Sequence, residues 1–105
     1  MKTCWINGEE LTREQIVARM DRYNIPEHCR DGLAGYLTRE YTRIGSFLTA
    51  LLSNDLKETF ARADDANQMA IRNYIYFLYN EAPTGSWGSP ERVQAWLTAH
   101  LEAGK

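Results

Sequence analysis

Cysteine and histidine are scarce in this chain, with two of each among its 105 residues. Their positions are Cys4, Cys29, His28 and His100. Protein sites for zinc and similar ions need several such side chains at short, regular spacings, and these residues form no such motif. The sequence therefore predicts no metal site and no cofactor. In a cytosolic protein both cysteines are expected to be reduced, and a Cys4–Cys29 disulfide is left as the alternative.

Long apolar runs are also missing. No stretch approaches the roughly 18 apolar residues that a membrane-spanning helix requires. The first residues, MKTCWINGEEL, lack the apolar segment of a secretory signal. We therefore expect a protein of the cytoplasm that has no membrane partner.

An excess of positive charge is the third absence. The chain has 12 basic and 14 acidic residues, for a formal net charge of -2. A general nucleic-acid-binding protein usually carries a basic excess, so that class is weakened. The remaining composition, 44% apolar and 25% charged, is typical of a globular chain. We expect one helical domain over residues 1–105, to which residues 1–11 add a short extension.

Catalytic motifs are the fourth absence. Ser86 follows a glycine, but Trp87-Gly88 comes after it, so the Gly-x-Ser-x-Gly pattern of serine hydrolases is not met. The GSWGS stretch has few glycines and no following lysine, unlike a phosphate-binding loop. Adjacent acids such as Asp64 and Asp65 are typical of helix caps. The sequence predicts that the protein is not an enzyme, and an enzyme with an unfamiliar site is the alternative.

Asn7-Gly8 is the clearest structural signal near the N-terminus. Both central residues of a tight hairpin turn need positive φ, which Asn and Gly adopt most readily. The flanking segments therefore predict a β-hairpin over residues 3–11. Alternation along the first strand places Trp5 on one face, with Cys4 and Ile6 on the other.

Start and stop signals divide the rest of the chain into five or six short helices, which predicts an all-α fold. Thr12 and Gln15 form a capping box, and Pro26 is expected at the first position of the following helix. Ser46 and Ser89 are expected to cap two later helices. The expected helices start near Thr12, Pro26, Ser46, Asp55, Asp65 and Ser89.

Apolar spacing predicts which helix faces are buried. The expected stripes are Ile16, Val17, Met20 and Tyr23 in the first helix, Cys29, Leu33, Tyr36 and Leu37 in the second, Phe47, Leu48, Leu51 and Leu52 in the third, and Val93, Trp96, Leu97 and Leu101 in the last. Leu56, Phe60 and Ala63 share one face of their short helix, and we expect that face to point inward. From Tyr74 to Tyr79 the sequence YIYFLY is apolar on nearly all sides. A helix of that kind is expected to lie in the centre of the fold.

Trp87 is the residue that most invites a functional interpretation, because it stands between two glycine-serine pairs in a loop. In one interpretation, the glycines let the chain turn so that the ring packs inward. In the other, the ring is an anchor for a partner protein, since tryptophan is enriched in interface hot spots. Both hold together if one edge of the ring stays exposed.

Arg39, Tyr41 and Arg43 form the best candidate for nucleic-acid binding. Basic groups interleaved with aromatic rings hold single-stranded nucleic acid in many proteins. Glu40 lies between the two arginines, however, and no other basic cluster supports them. The alternative is that both arginines pair with neighbouring acids.

Two stretches of the second half carry a family resemblance. GSFLTALLSNDLKETFARADDAN begins at Gly45, and YIYFLYNEAPTGSWGSPERVQAWL ends at Leu97. Their motifs Gly-Ser-Phe-Leu, Asn-Asp-Leu, Leu-Tyr-Asn and Trp-Gly-Ser-Pro resemble, in that order, a group of small phage and prophage proteins of unassigned function. The resemblance implies an origin in a mobile element and, for the protein, the cytoplasm of the host cell.

These observations together lead to one functional hypothesis. We expect a non-catalytic phage or prophage accessory protein that binds a host protein and inhibits or modulates it, including an anti-CRISPR or other anti-defence role. A small nucleic-acid-associated regulator is the alternative, and a homodimer through Trp87 or Trp5 is a further one. The residues expected to contact a partner are Trp87, Glu9, Glu10, Arg39, Tyr41 and Arg43.

Overall fold

The computed structural model describes residues 2–103, with side chains described through residue 99. Within that range a two-stranded hairpin is followed by six α-helices, so the predicted all-α fold with an N-terminal hairpin is confirmed. The elements are β1 (Thr3–Ile6), β2 (Glu9–Thr12), α1 (Arg13–Arg19), α2 (Glu27–Leu37), α3 (Ser46–Leu52), α4 (Leu56–Arg62), α5 (Asp65–Glu81) and α6 (Pro90–Ala103). No helix in the described part of the chain combines the length and the apolar character needed to cross a membrane.

The hairpin forms where the Asn-Gly pair predicted it. Asn7 and Gly8 have φ values of 49° and 83°, as a tight turn between antiparallel strands requires. Strand alternation then sets the faces: Cys4 and Ile6 are buried, and Trp5 points outward with 64% of its surface exposed. The hairpin thus covers the helical core with one face and presents the other to solvent.

The first helix begins at the predicted capping box, in which Thr12 and Gln15 bond reciprocally to each other's backbone N–H groups. It does not continue as one α-helix to Tyr23, as the apolar spacing suggested. The α-helical part ends at Arg19, and a 3-10 turn covers Met20–Tyr23 before Asn24 takes a left-handed conformation. The tighter turn brings Tyr23 against the Phe77 ring of α5, with 5.5 Å between the ring centres.

Two predicted helix starts shift by one residue. Pro26 is the N-cap of α2 rather than its first residue, and Gly45 rather than Ser46 precedes α3. Ser46 makes no side-chain cap; Thr49 instead donates to the Gly45 carbonyl at 2.7 Å. These shifts leave the core faces of both helices as expected.

The inward face predicted for α4 is wrong for Leu56 and Phe60, whereas Ala63 packs against the core as predicted. Leu56 is 70% exposed and Phe60 is 46% exposed, whereas Thr59 is buried and donates to the Asp55 carbonyl. Asp55 caps this seven-residue helix by accepting from the Glu58 N–H, and its own N–H donates to Ala50. The connection to α3 therefore determines which face of this short helix points to the core. The apolar side chains of α4 do not determine it.

The prediction that α5 is enclosed on all sides is also wrong. Tyr74, Phe77 and Leu78 are buried, but Tyr76 is 48% exposed and Tyr79 is 80% exposed. The rest of the fold packs on one side of this helix only. Tyrosine tolerates such a position because its hydroxyl stays hydrated.

The core is a single cluster of apolar side chains drawn from the hairpin and the helices. Its largest buried members are Tyr36, Tyr74 and Phe77. The last helix begins with the predicted serine cap, in which the Arg92 N–H donates to Ser89, and it contributes buried Val93. Leu101, also predicted to face the core, lies outside the described side chains.

Candidate partner-binding surface

The outer face of the hairpin is a solvent-facing surface dominated by Trp5. In the strand register Trp5 lies opposite Glu10, so the two side chains share the solvent face. Glu10 is exposed, and its carboxylate accepts a hydrogen bond from the Thr3 hydroxyl at 2.8 Å. An exposed tryptophan beside an oriented carboxylate is suited to contact a protein surface that offers an apolar socket next to a basic group.

A polar clamp made of Arg19, Glu81, Tyr23 and Asn7 holds the hairpin on the helices. Glu81 at the end of α5 is only 7% exposed. Arg19 of α1 bonds to it at 3.3 Å and to Glu9 of the hairpin at 3.1 Å. The Tyr23 hydroxyl donates to Glu81 at 3.3 Å, and the Asn7 amide donates to the Asn80 carbonyl at 2.9 Å.

The predicted partner residue Glu9 contacts this clamp. Glu9 is exposed, yet its carboxylate is paired with Arg19 and so helps to seat the hairpin. Burial, and next the negative charge of Glu81, raise the pKa of Tyr23, so its hydroxyl stays a hydrogen-bond donor. Sequence reasoning missed Arg19 and Glu81, because they are far apart in the chain and neither belongs to a motif.

Trp87 packs inward and keeps part of its surface exposed, so its predicted partner contact stays a prediction. Its ring is partly buried and packs against the core cluster. The short 3-10 turn Thr84–Ser86 precedes it, and Gly88 follows with a φ of 115°, a value that favours glycine. The glycine therefore lets the chain turn back after the ring.

Backbone contacts pin the Trp87 loop on both sides of the ring. The Tyr36 hydroxyl donates to the Ser86 carbonyl at 2.6 Å, and both residues are fully buried. The Gly88 N–H donates to the Leu52 carbonyl at 2.7 Å. A loop that is held at two buried points has little freedom to close around a partner.

Arg39 is not directed to solvent as the nucleic-acid hypothesis supposed. Its guanidinium lies 3.5 Å from the centre of the Trp96 ring, and its Nε donates to the Trp96 carbonyl at 3.1 Å. The Trp96 indole in turn donates to the Tyr36 carbonyl at 3.0 Å. Arg39 thus packs α6 against the end of α2 by stacking, and not by pairing with an acid.

Tyr41 also makes contacts within the protein. Its hydroxyl donates to Asp31 at 2.8 Å, and its ring lies so close to Gly35 that a Cβ there would come within 2.0 Å of it. Arg13 pairs with the same Asp31 and lies over the Tyr41 ring. Of the three residues proposed for nucleic-acid binding, Arg43 is exposed, whereas Arg39 and Tyr41 are partly buried and make contacts within the protein.

The outward face of α5 is a second exposed surface, and it includes Tyr76 and Tyr79 of the segment that was predicted to be enclosed. Met69 is 86% exposed, and with Tyr76 and Tyr79 it follows helical spacing along this face. Arg72 lies between them, and its guanidinium donates to the Tyr76 hydroxyl through Nη2 at 2.9 Å and through Nε at 3.3 Å. The arginine and the tyrosine thereby fix each other's orientation.

The cysteines are free thiols in separate places. Cys4 is buried, and burial raises the pKa of its thiol to about 11, so it stays protonated near neutral pH. Cys29 is partly buried beside the Asn67 amide at 3.5 Å. Among the described side chains, no group of three or more His, Cys, Asp or Glu residues is placed to hold a metal ion.

Comparison with known protein families, with curated proteins and with solved structures finds no match to this chain. The resemblance to phage and prophage proteins therefore remains a prediction from the sequence.

Proposed function

We propose that this chain is a non-catalytic protein-binding protein that docks on a partner through the outer face of its hairpin. The observation that carries the proposal is the exposure of Trp5, 64%, on a hairpin whose other face is buried. Burying an exposed tryptophan against a partner removes a large apolar surface from water. Such rings are frequent among the residues that contribute most to protein binding.

The chemistry of the face describes the partner. Glu10 stands beside Trp5, fixed by the Thr3 hydroxyl, so the matching surface carries a lysine or arginine next to an apolar socket. Complementary charge of this kind speeds the encounter and selects among partners. The partner we propose is therefore a protein with a basic, partly apolar docking surface.

The biological setting rests on the sequence resemblance. In that setting the chain is a phage or prophage accessory protein in the host cytoplasm, and its partner is a host protein that it inhibits or modulates. Bacterial defence complexes that grip nucleic acid, including CRISPR effectors, have basic surfaces of the required kind. An anti-CRISPR or other anti-defence role is the sharpest form of the proposal.

The first experiment is capture of partners from bacterial lysate by the tagged protein, followed by titration with the purified partner. Trp5→Ala is expected to weaken binding about 30-fold, the effect of losing a hot-spot side chain. Glu10→Lys is expected to weaken it less and to reduce its dependence on salt, because that carboxylate contributes long-range attraction. Circular dichroism checks that both variants are folded.

Trp87→Phe is the matched control, since it keeps an aromatic ring in the packed loop and leaves the hairpin unchanged. It should bind like the wild type. A partner that tolerates Trp5→Ala would contradict docking through the hairpin, and the absence of any partner at micromolar concentration would contradict the function. Salt-dependent binding to single-stranded DNA or RNA would instead support the nucleic-acid alternative.

A further inference from the structure

The outward face of α5 carries the two most exposed large apolar side chains of the described residues, Met69 and Tyr79. The proposed function does not use this face, since Trp5 is on the hairpin. A helix face with this much exposed apolar surface is unusual unless something covers it. The arrangement of its side chains indicates which molecule covers the face.

The side chains of this face are placed symmetrically about position 74. Met69 and Tyr79 lie equally far from that position in opposite directions, and so do Arg72 and Tyr76. With 3.6 residues per turn, each pair straddles the direction opposite Tyr74, which is fully buried. A two-fold axis just outside this face, level with Tyr74 and perpendicular both to the helix axis and to that direction, would place a second, antiparallel copy of the face against the first.

Such an axis brings unlike, complementary side chains together. A second copy, running antiparallel, would set its Tyr79 against Met69 at one end of the contact and its Met69 against Tyr79 at the other. Thioether sulfur and aromatic rings attract each other. Near the centre, Arg72 of each copy would face Tyr76 of the other, an arrangement that cation–π attraction favours.

The structure already holds the central pair in a fixed orientation. The Arg72 guanidinium is bonded to the Tyr76 hydroxyl of its own helix and lies 5.2 Å from the ring centre. Fixed side chains lose less entropy when they are buried in an interface. The two arginines would be offset by about 6 Å along the helix axis, with tyrosine rings beside them.

We propose that the outward face of α5 binds a second copy of this chain, as an antiparallel helix pair whose two-fold axis crosses between the helices at the level of Tyr74. The self-complementary order Met69, Arg72, Tyr76, Tyr79 distinguishes this occupant from an unrelated partner, which would not need it. Two-fold dimers are the commonest oligomers. The dimer would present two hairpins, and its formation does not require the hairpin to bind anything.

Sedimentation equilibrium of the purified protein, from about 1 µM to about 1 mM, tests this proposal. The wild type should pass from monomer to dimer within that range, and Tyr76→Glu should weaken the association at least about tenfold. Phe60→Glu is the matched control, because Phe60 is exposed to nearly the same extent, 46% against 48% for Tyr76, but lies on α4. The control variant should associate like the wild type.

A mixing experiment tests the antiparallel order and does not depend on the loss seen in one variant. Arg72→Glu and Tyr76→Arg should each fail to dimerise alone, and an equal mixture should form heterodimers, because the introduced carboxylate of one copy then faces the introduced guanidinium of the other. A protein that stays monomeric throughout the range overturns the proposal. So does a dimer that Tyr76→Glu leaves intact, and its dissociation by Trp5→Ala or Trp87→Ala would then place the contact at a tryptophan. Loss of partner capture without loss of the dimer concerns the hairpin proposal alone.

Discussion

The hairpin and the Trp87 loop each present one tryptophan, and the two side chains have opposite environments. Trp5 belongs to a regular strand and is 64% exposed, whereas Trp87 belongs to a glycine-containing loop and packs against the core. The β-strand carries the exposed ring of Trp5, and the loop carries the packed ring of Trp87. Flexibility read from glycine content is therefore a poor guide to which tryptophan is available to a partner.

The two regions are also held in different ways. The hairpin is held through apolar contacts of its inner face and through charged contacts of Arg19 and Glu81. The Trp87 loop is held by the buried Tyr36–Ser86 hydrogen bond and by packing. Charge substitutions should therefore affect the hairpin most, and loss of ring volume should affect the loop most.

The largest effect is expected from Arg19→Met, which keeps the length of the side chain and removes its charge. It leaves the Glu81 carboxylate buried without a cation, which we expect to cost about 3 kcal/mol of unfolding free energy. Urea unfolding measures the loss. Arg22→Met removes an exposed arginine three residues later and should cost less than about 0.5 kcal/mol.

A second substitution tests whether the uncompensated charge of Glu81 causes the loss of stability. Glu81→Gln in the Arg19→Met background removes the uncompensated charge and should restore part of the lost stability. Equal losses for Arg19→Met and Arg22→Met would mean that the clamp does not hold the hairpin. Charged contacts would then not distinguish the way the hairpin is held from the way the Trp87 loop is held.

The next effect distinguishes the two tryptophans directly. Trp87→Ala should lower the unfolding free energy by about 2 kcal/mol, less than for a fully buried tryptophan because the ring is partly exposed. Trp5→Ala should change it by less than about 0.5 kcal/mol, since its ring points to solvent. Urea unfolding of both variants against the wild type checks this, and equal losses would contradict the assignment of packed and exposed rings.

The smallest effect concerns Tyr41, a predicted partner contact whose hydroxyl bonds to Asp31 of the same chain. Its hydroxyl, and next the Arg13 guanidinium, hold the pKa of Asp31 below its usual value. Tyr41→Phe should therefore raise the Asp31 pKa toward that value, as followed by NMR of the carboxyl carbon. Tyr79→Phe removes a hydroxyl from the surface of α5 and should leave the Asp31 pKa unchanged.

The sign of the associated pH effect follows from the lowered pKa. Asp31 favours the folded state at pH values above its unfolded pKa, and this contribution is lost as pH falls through its folded pKa. The acid-dependent loss should be smaller in Tyr41→Phe than in the wild type. An unchanged Asp31 pKa in that variant would mean that the hydrogen bond does not form in solution.

Local chemistry made much of the fold predictable. Asn7-Gly8 fixed the turn, and the pairs Thr12 with Gln15 and Ser89 with Pro90 fixed two helix starts, because each acts within a few residues. The burial of α4 and α5 was not predictable in the same way. Whether Leu56 or Tyr79 is covered depends on where neighbouring helices lie, and periodicity alone cannot supply that information.

The candidate site was less predictable than the fold. Strand alternation separated Trp5 from Cys4 and Ile6 but did not indicate which of the two faces is exposed. For Trp87 the sequence offered inward packing and a partner contact together, and it could not show how much of the ring is covered. Arg39 looked like a surface cation because its nearest neighbours in sequence are polar. Its contact is Trp96, which belongs to the last helix and is far away in the chain.

The Cys4 thiol can report on how often the hairpin opens. It sits on the strand directly beside Trp5 but on the opposite, buried face, and its raised pKa keeps it protonated. An alkylating reagent reaches it only when the hairpin lifts from the helices, so the rate of alkylation measures how often that opening occurs. A protein bound over Trp5 that requires the seated hairpin would slow this reaction without touching the sulfur.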